Sequence, residues 1–361
     1  MKKKVGILFG GKSAEHEVSL QSAKNVIAAL DKNKYDAVLI GIAKDGTWLL
    51  ENEDFLINES DPKNIKLKTD CDHCALVPAG RGRICNLTKP GNDVFVDVVF
   101  PILHGPCGED GSVQGLLKLA DVPFVGSGVL GSAICMDKEI MKSVLSSARI
   151  PIGKYMVLKE GGELPSYNAV KKELGEPCFV KPASMGSSIG VEKIHNEGEY
   201  KKFVDAAFNF DNKIILEEFI DGREIECAVL GNDNPKASLP GEVKPVAEFY
   251  SYSAKYLDAK AAIIEVPAVL SEETVQQIQE LAIKTFKELS ADGLSRVDFF
   301  LQKDGKILVN EINTMPGFTK ISMYPKMWNV SGISYSDLIS RLIDLSFEKY
   351  KNDSSINTSF S

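Results

Sequence analysis

The sequence has no long hydrophobic run and no excess of positive charge, and each absence excludes a class of protein. No apolar run among the 361 residues approaches the length of about 18 that a membrane-spanning helix needs. The chain carries 42 Lys and Arg against 50 Asp and Glu, a formal net charge of −8. This balance argues against a nucleic-acid partner, because phosphates favour a basic face. We therefore expect neither a membrane nor nucleic acid as a partner, and any positive charge that serves substrate binding must be local.

The cysteines give no sign of a disulfide framework. There are seven of them, an odd and scattered set in mostly apolar contexts, which is typical of reduced core thiols in a cytoplasmic protein. Cys71 and Cys74 in CDHC have the spacing of metal ligands but no matching second pair nearby, so a zinc site and ordinary core cysteines both stay open. The opening MKKKVGILFGG has about six apolar residues before its glycine pair, which indicates a first strand rather than a signal peptide.

In the first third of the chain, predicted strands and helices alternate as in an α/β domain. Runs such as VGILF, DAVLIGI and DVFVDVVFPIL alternate with a helical segment, VSLQSAKNVIAAL, which predicts a parallel sheet covered on both faces. The glycines of GILFGGKSAEHE do not match G-x-G-x-x-G, so a dinucleotide site is not favoured. Glu15 lies at a strand-to-helix turn, where open α/β sheets bind ligands. It is either a helix N-terminal charge or the partner of a substrate amine.

The middle of the chain changes character. CFVKPASMGSSIGVEKI (178–194) predicts a strand, a glycine-serine loop and a second strand. The N–H groups of the loop are suited to phosphate oxygens and Lys181 adds a positive charge, although a purely structural hairpin is the alternative. Asp137 is predicted to cap a helix that begins with Lys138.

The last region begins with KIILEEFIDGREIECAVLG (213–231), where two strand-like runs flank Asp-Gly and predict a hairpin. The segment 247–263 is rich in lysine and aromatic residues without a clear period. A loop of that length in a compact domain is usually functional, often as a lid. SEETVQQIQELAIKTFKELS (271–290) predicts an amphipathic helix capped by Ser271.

A second hairpin is predicted from SRVDFFLQ, KDGK and ILVNEIN. A two-residue Asp-Gly loop pairs Asp298 with Glu311 and Arg296 with Asn313, all on one face. A four-residue loop would give the same register, whereas an odd-length loop would not. Two opposed carboxylates repel each other, so a cation is expected between them. Ligands that are all oxygen atoms favour magnesium. An ordinary hairpin with a solvated acidic face is the alternative.

Taken together, these segments resemble a known family. K-P after a strand, the glycine-serine loop, E-E-F, R-V-D and N-E-I-N-T-M-P-G-F resemble the ATP-grasp superfamily. GGKSAEHEVSL, HGPCGEDG, MDK and FYSYSAKYL add a resemblance to the D-alanine–D-alanine ligases over residues 4–345. The resemblance implies a mixed α/β and α+β fold with three domains and ATP held between two antiparallel sheets. The implied boundaries are an N-terminal α/β domain at 1–125, a central ATP-grasp domain at 126–215, a C-terminal ATP-grasp and metal domain at 216–350 with a lid at 245–263, and a flexible tail at 351–361.

The family reaction implies the substrates and cofactors. ATP phosphorylates one D-alanine carboxylate, and the amine of a second D-alanine attacks the acyl phosphate to give D-alanyl-D-alanine for peptidoglycan synthesis, and hence for cell-wall biogenesis and cell shape. Two Mg²⁺ ions, replaceable by Mn²⁺, would be held by Asp298, Glu311 and Asn313. The resemblance also implies a cytoplasmic homodimer, with the N-terminal domain as its contact.

The resemblance further assigns roles to residues at both ends of the site. On the ATP side, lysines and the glycine-serine loop would bind phosphates, and acidic and apolar residues would hold the nucleoside: Lys138, Lys181, Ser188, Glu217, Glu218, Phe219, Ile220, Glu224 and Phe300. On the amino-acid side, the implied catalytic residues are Glu15, Ser187, Tyr256, Arg296 and Gly317. The implied contacts to the D-alanines are Glu15, His104, Lys255, Ser322 and Met323.

The next question is which second substrate is joined to D-alanine. Related ligases make D-alanyl-D-lactate or D-alanyl-D-serine. The lactate-making ligases lack the tyrosine matched by Tyr256, and several variant ligases have a basic residue at the position of Met323. Both residues therefore favour D-alanine. Other enzymes of the superfamily, such as carboxylases or glutathione-type ligases, would not need the N-terminal motifs. A non-catalytic nucleotide-binding module would be expected to lose the metal ligands or Arg296.

Overall fold

The computed structural model describes residues 2–61, 64–245, 262–319 and 321–357. Within these ranges the chain forms three main β-sheets with helices packed on them, and a short two-stranded sheet. No helix in the described ranges is both long enough and apolar enough to cross a membrane.

The N-terminal unit is a seven-stranded sheet in the order β8-β7-β6-β3-β2-β1-β9, and β4 and β5 form the small separate sheet. Its elements are β1 (Lys3–Gly10), α1 (His16–Ala29), β2 (Tyr35–Ile42), β3 (Trp48–Glu51), β4 (Leu56–Ile57), β5 (Lys66–Leu67), β6 (Asp72–Leu76), β7 (Arg83–Asn86), β8 (Val94–Phe95), β9 (Val98–Ile102) and α2 (Ser112–Leu119). The predicted parallel arrangement is confirmed for β2, β1 and β9. The other strand pairs of this sheet are antiparallel.

Two helices then lead to the central unit, a four-stranded antiparallel sheet in the order β10-β13-β11-β12. The elements are α3 (Val129–Met136), α4 (Lys138–Ser147), β10 (Tyr155–Lys159), α5 (Tyr167–Leu174), β11 (Cys178–Pro182), β12 (Glu192–Ile194), α6 (Glu197–Ala207) and β13 (Lys213–Glu218). The predicted cap of α4 is confirmed: the Asp137 carboxylate accepts hydrogen bonds from the N–H groups of Glu139 and Ile140. The strand, loop and strand predicted for 178–194 are also present.

The C-terminal unit is an antiparallel sheet in the order β17-β16-β14-β18-β19, with β15 paired to β14. Its elements are β14 (Gly222–Gly231), β15 (Lys236–Ala237), β16 (Gly241–Pro245), β17 (Ala262–Glu265), α7 (Glu272–Glu288), β18 (Gly293–Gln302), β19 (Ile307–Asn313), α8 (Met323–Val330) and α9 (Tyr335–Ser354). The helix predicted for 271–290 is confirmed as α7, and the Ser271 hydroxyl accepts from the Thr274 N–H at 3.2 Å. The predicted tail at 351–361 was wrong for its first turn, because α9 continues to Ser354.

The hairpin predicted for 213–231 was also wrong. β13 pairs with β10 and β11 in the central sheet, whereas β14 pairs with β16 and β18 in the C-terminal sheet. Residues 219–221 therefore carry the chain from one sheet to the other. The Asp-Gly signal is local and marks a change of direction, but it does not decide which sheet each flanking strand joins.

Among the described residues, four hydrophobic cores show how the units are connected. The largest core contains residues of β1, α1 and β9 together with residues of β14, α8 and α9, so the N-terminal and C-terminal units share it. A second core joins α3, α4 and α7 to the C-terminal sheet, although α3 and α4 lie within the central domain predicted at 126–215. The central sheet has a core of its own, and its last strand, β13, crosses the predicted boundary at 215.

The remaining core covers the other face of the N-terminal sheet and contains Cys74, whereas Cys71 packs against the largest core. The two cysteines thus lie on opposite sides of the sheet. Among the described residues no three His, Cys, Asp or Glu side chains form a metal-binding group, so the structure does not support zinc at CDHC.

Candidate active site

A cleft between the central and C-terminal sheets contains a cavity of about 220 Å³. It lies where the chain crosses from β13 to β14, with α4 along one side. All nine residues predicted to bind the nucleotide line this cavity: Lys138, Lys181, Ser188, Glu217, Glu218, Phe219, Ile220, Glu224 and Phe300.

One end of this cavity is closed by a buried carboxylate between two lysines. Glu217, the fifth residue of β13, has Lys142 Nζ 2.8 Å from its Oε1 and Lys181 Nζ 2.5 Å from its Oε2. Burial alone would raise the pKa of Glu217, but the two ammonium groups outweigh it and hold the pKa at about 2. Burial lowers the pKa of Lys181, but the Glu217 carboxylate outweighs it and the pKa is raised. This end is therefore a charged acceptor surrounded by the apolar side chains of Phe179 and Phe219.

The other end of the cavity is formed by α4 and the glycine-serine loop. Lys138 Nζ donates to the carbonyl oxygen of Met185 at 2.7 Å and lies 3.9 Å from Glu311 Oε2. Burial lowers the pKa of Lys138, and the charge of Glu311 opposes this shift. In the loop, Ser187 and Ser188 have left-handed backbones with φ of +52° and +58°, a conformation that residues other than glycine adopt uncommonly.

A second cavity of about 120 Å³ adjoins the first and contains the predicted amino-acid residues. Glu15, His104, Ser187, Arg296, Gly317, Ser322 and Met323 all line it. Gly186, Ser187 and Glu311 line both cavities. The two predicted substrate sites are therefore neighbours that meet at the glycine-serine loop and at β19.

Glu15 is the acidic side chain at the N-terminal side of this second cavity. It is buried and accepts a hydrogen bond from the Ser187 hydroxyl, which ties the N-terminal unit to the glycine-serine loop of the central unit. His104 Nδ1 lies 3.1 Å from the Met315 carbonyl oxygen. Burial lowers the pKa of His104 against the opposing charge of Glu15, so a neutral imidazole is favoured here.

The turn after β19 forms the floor of the second cavity. Ser322 Oγ accepts from the Thr319 N–H at 2.9 Å, and a Cβ added to Gly317 would lie 2.9 Å from that same Oγ. Only a glycine therefore fits at 317 without displacing Ser322. Met323 begins α8 and is buried.

The hairpin of β18 and β19 has the predicted pairing: Asp298 lies opposite Glu311 and Arg296 opposite Asn313. Asn313 Nδ2 also lies 3.2 Å from Asp298 Oδ2. Two carboxylates and an amide oxygen are hard oxygen donors that fit Mg²⁺. Asp298 and Glu311 would each supply a carboxylate oxygen, and Asn313 would supply its amide oxygen as the third ligand.

The predicted two-residue turn of this hairpin was wrong. The loop is closed by Gln302, whose N–H donates to the Lys306 carbonyl at 2.9 Å, so it contains three residues. A bulge at Asn310 then shifts the register by one residue and restores the pairing nearer the cleft. Val309, which precedes the bulged residue, donates its N–H to the Pro151 carbonyl at 2.8 Å.

Arg296 lies at the centre of an acidic cluster. Its Nε and Nη2 donate to the two oxygens of Asp298 at 2.7 and 2.6 Å, and its Nε lies 3.1 Å from Glu226 Oε2. Burial would lower the pKa of Arg296, but these carboxylates raise it well above the usual value. The guanidinium is thus a counter-ion of Asp298, one of the residues predicted to hold the metal.

The sequence reasoning missed several residues of the site, among them Glu226 beside Arg296, Glu109 and Lys142. Glu109 lines the second cavity, and its Oε2 accepts from the Gly105 N–H at 2.8 Å. Burial and the charge of Glu15 raise the pKa of Glu109 to about 8, and its position in HGPCGEDG was the available signal. Lys142 lies one helical turn after Lys138, and that spacing places both lysines on one face of α4.

Two predicted residues, Lys255 and Tyr256, and most of the predicted lid at 245–263 lie outside the described residues. The strands on either side, β16 and β17, are paired antiparallel from Glu242 to Pro245.

Comparison with known proteins relates this geometry to one family. The chain matches the family models for the D-ala D-ala ligase N-terminus over residues 4–127 and the D-ala D-ala ligase C-terminus over residues 144–344. It is 51% identical to a D-alanine–D-alanine ligase from Oceanobacillus iheyensis over 99% of both chains.

Two solved structures are also similar over nearly the whole chain. One is a D-Ala:D-Ser ligase from Enterococcus faecalis, with a TM-score of 0.84, 37% identity and coverage of 96% of this chain and 100% of that chain. The other is a D-alanine–D-alanine ligase from Bacillus anthracis in complex with ATP, with a TM-score of 0.73, 29% identity and coverage of 97% and 99%.

Proposed function

Because the chain belongs to the D-alanine–D-alanine ligase family, we propose that it uses ATP to join two D-alanine molecules through a D-alanyl phosphate, for peptidoglycan synthesis. One observation supports this most directly: the nucleotide residues line one cavity and the amino-acid residues line an adjoining one, with Ser187 and Glu311 shared. A phosphoryl group transferred between two bound substrates requires such adjacent sites.

On the nucleotide side, Lys138 and Lys181 would bind phosphates, together with the N–H groups of the loop at Ser188. Lys181 would also lie near the adenine. Glu217 would accept from the adenine amino group, and Glu224 would bind the ribose hydroxyls. The backbone of Glu218 and Ile220 would contact the edge of the base, between the apolar walls of Phe219 and Phe300.

Asp298, Glu311 and Asn313 would hold the metal, two Mg²⁺ ions by prediction, with Mn²⁺ as a substitute. Bound there, the metal would draw charge off the transferring phosphoryl group and its acceptor. The hard oxygen donors support this role, as does Lys138 close to Glu311.

On the amino-acid side, Glu15 would pair with the ammonium group of the first D-alanine, which His104 would border. Arg296 and the Gly317 N–H would stabilise the oxyanion of the tetrahedral intermediate, the charge that develops in the transition state. Lys255 and Ser322 would bind the carboxylate of the second D-alanine. Ser187 and Tyr256, linked to Glu15, would hold the lid closed against water, which would otherwise hydrolyse the acyl phosphate.

D-alanine is the proposed second substrate. The similar D-Ala:D-Ser ligase structure means that the overall fold does not distinguish these substrates. Met323 supports D-alanine because it lines the amino-acid cavity with an uncharged side chain. We also propose a cytoplasmic homodimer and an ATP-grasp arrangement in which the central unit closes on the C-terminal unit.

The test is phosphate release and dipeptide formation by the purified protein with Mg²⁺ and ATP. D-alanine alone should give stoichiometric phosphate and D-alanyl-D-alanine. Addition of D-serine or D-lactate should give little mixed product. Mixed products in excess of the homodipeptide would contradict the proposed second substrate, and ATP binding without any product would contradict the ligase function.

A further inference from the structure

We propose that Lys142 is a positioning residue for nucleobase selectivity, which holds the Glu217 carboxylate so that it accepts from the 6-amino group of adenine. This inference rests on the proposed function, because it takes the nucleotide to be ATP. Lys142 itself is not placed in contact with the base.

The first step is the position of Lys142 on α4. Lys138 and Lys142 are four residues apart and line the same cavity. Lys138 Nζ donates to the Met185 carbonyl oxygen at 2.7 Å, at the end of the cavity formed by the glycine-serine loop. Lys142 Nζ pairs with Glu217 at the other end of the cavity. One face of α4 therefore supplies a cation to each end of the nucleotide cavity.

The second step is the burial of the pair. The side chains of Lys142 and Glu217 are 3% and 9% exposed, and the ion pair spans 2.8 Å. The Lys142 ammonium also lies 5.8 Å from the centre of the Tyr155 ring, and Tyr155 is the residue of β10 directly opposite Glu217. Lysine is almost never buried this deeply without a charged partner, and the partner here is the residue proposed to bind adenine.

The third step concerns the two counter-ions of Glu217. Lys181 takes one carboxylate oxygen and Lys142 the other, but only Lys181 is also proposed to bind phosphates. In the proposed ATP complex the phosphates would compete for Lys181, and Lys142 would be the cation that stays with Glu217. A carboxylate oxygen has two lone-pair sites, so Oε1 or Oε2 can still accept from an amino group.

The consequence is selectivity among purines. The amino group of adenine at position 6 donates to a carboxylate, whereas the carbonyl of guanine at that position presents a second acceptor and is repelled. A site built around a hydrogen bond rejects ligands that lack it much more strongly than an apolar pocket does. A purine without any substituent at position 6 would lose the hydrogen bond without adding repulsion.

The experiment compares Lys142→Met with the unmodified chain by calorimetric titration in Mg²⁺ without D-alanine. The ligands are ATP and the triphosphate of purine riboside, which lacks the 6-amino group. Lys142→Met should weaken ATP binding about tenfold or more, the effect expected for a hydrogen bond to a charged group. It should weaken binding of the analogue less than about threefold. Equal losses for both ligands would overturn the proposal.

A pH series separates positioning from general support of the fold. With one counter-ion removed, the pKa of Glu217 should rise, so ATP binding by Lys142→Met should weaken towards pH 5 while the unmodified chain changes little. A parallel dependence in both proteins would contradict the proposed role. Lys284→Met is the matched control, since Lys284 is an exposed lysine that donates to the Ala148 carbonyl, and it should bind both ligands as the unmodified chain does.

A double variant keeps the test valid if Lys142→Met does not fold. Lys142→Met with Glu217→Gln removes one charge of each sign, so no buried carboxylate is left without its counter-ion. Lys181 loses Glu217 in the Glu217→Gln reference as well, so this effect cancels in the comparison. Relative to Glu217→Gln alone, the added change should alter ATP affinity less than about threefold, and a further tenfold loss would overturn the proposal. If the unmodified chain bound no Mg²⁺-ATP, the proposed function would fail instead, so the two failures are distinguishable.

Discussion

At the scale of a single residue, a variant can distinguish two candidate roles of Arg296, counter-ion and oxyanion donor. Its guanidinium is bidentate on Asp298, which is the geometry of an internal counter-ion, and it also lines the amino-acid cavity. As a counter-ion it would act on metal and ATP affinity. As an oxyanion donor it would act mainly on the bond-forming step, where the charge develops.

We predict that Arg296→Ala lowers turnover about a hundredfold or more, the usual loss for one oxyanion donor. Arg296→Lys should recover only part of this, because lysine keeps the charge without the planar fork. Mg²⁺-ATP binding, measured by calorimetry at saturating Mg²⁺ without D-alanine, should hardly change. A collapse of that affinity in a folded variant would instead assign Arg296 to the counter-ion role.

Glu51 gives a prediction about stability away from the site. It is buried on β3, and its Oε2 accepts from the Cys71 thiol at 3.0 Å. Burial raises the pKa of Glu51, and this hydrogen bond opposes the shift only partly. Because the folded state holds the proton more tightly than the unfolded state, the stabilisation is complete below the unfolded pKa of about 4.3. It is lost as pH rises through the folded value.

Glu51→Gln should therefore flatten the pH dependence of the free energy of unfolding and make the protein more stable than the unmodified chain at pH 8. Urea unfolding at pH 5 and pH 8 measures this. Glu53→Gln, at an exposed position two residues away, is the matched control. Identical pH profiles for Glu51→Gln and the unmodified chain would show that folding does not raise the pKa of Glu51.

At the scale of elements, the hairpin of β18 and β19 shows what a sequence can and cannot predict. The apolar, β-forming runs on either side of Asp-Gly predicted both strands, and the predicted pairing gave the face that Asp298 and Glu311 share. The three-residue loop and the bulge at Asn310 were not predictable, because the bulge depends on a bond from Val309 to Pro151, over 150 residues earlier in the chain. The separation of β13 from β14 was missed for the same reason, since sheet membership depends on distant partners.

The loop itself can be tested at Gly305, which has φ of +87° and no atom within 4 Å of an added Cβ. Gly305→Ala should lower the free energy of unfolding by about 1–2 kcal/mol, the cost of a left-handed backbone in an L residue. Gly305→Asn should cost less, because asparagine tolerates this conformation. Urea unfolding measures both, and equal stability of all three proteins would contradict a left-handed residue in this loop.

At the scale of the whole molecule, the resemblance to an ATP-grasp ligase predicted the three sheets, but local patterns did not show which cores they share. The segments that meet in the largest core come from opposite ends of the chain. α9 connects them: Tyr350 Oη donates to Asp121 Oδ1 at 2.8 Å, and Lys349 pairs with Asp292. The central sheet has its own core, which suits a unit that closes over a nucleotide.

The separation of the central core from the shared core predicts how the molecule responds when a buried side chain is truncated. Leu342 of α9 lies fully buried in the shared core, so Leu342→Ala should cost about 2–5 kcal/mol. Amide exchange should accelerate together in β1, β9, β14 and β18, with little change in β10–β13. Leu216→Ala is the matched control, because Leu216 is equally buried in the central core. Its exchange should accelerate in β10–β13 alone. Hydrogen exchange read by mass spectrometry resolves these segments. If Leu342→Ala left the protection of β1 and β9 unchanged, the N-terminal and C-terminal sheets would unfold independently, and the shared core would not couple them.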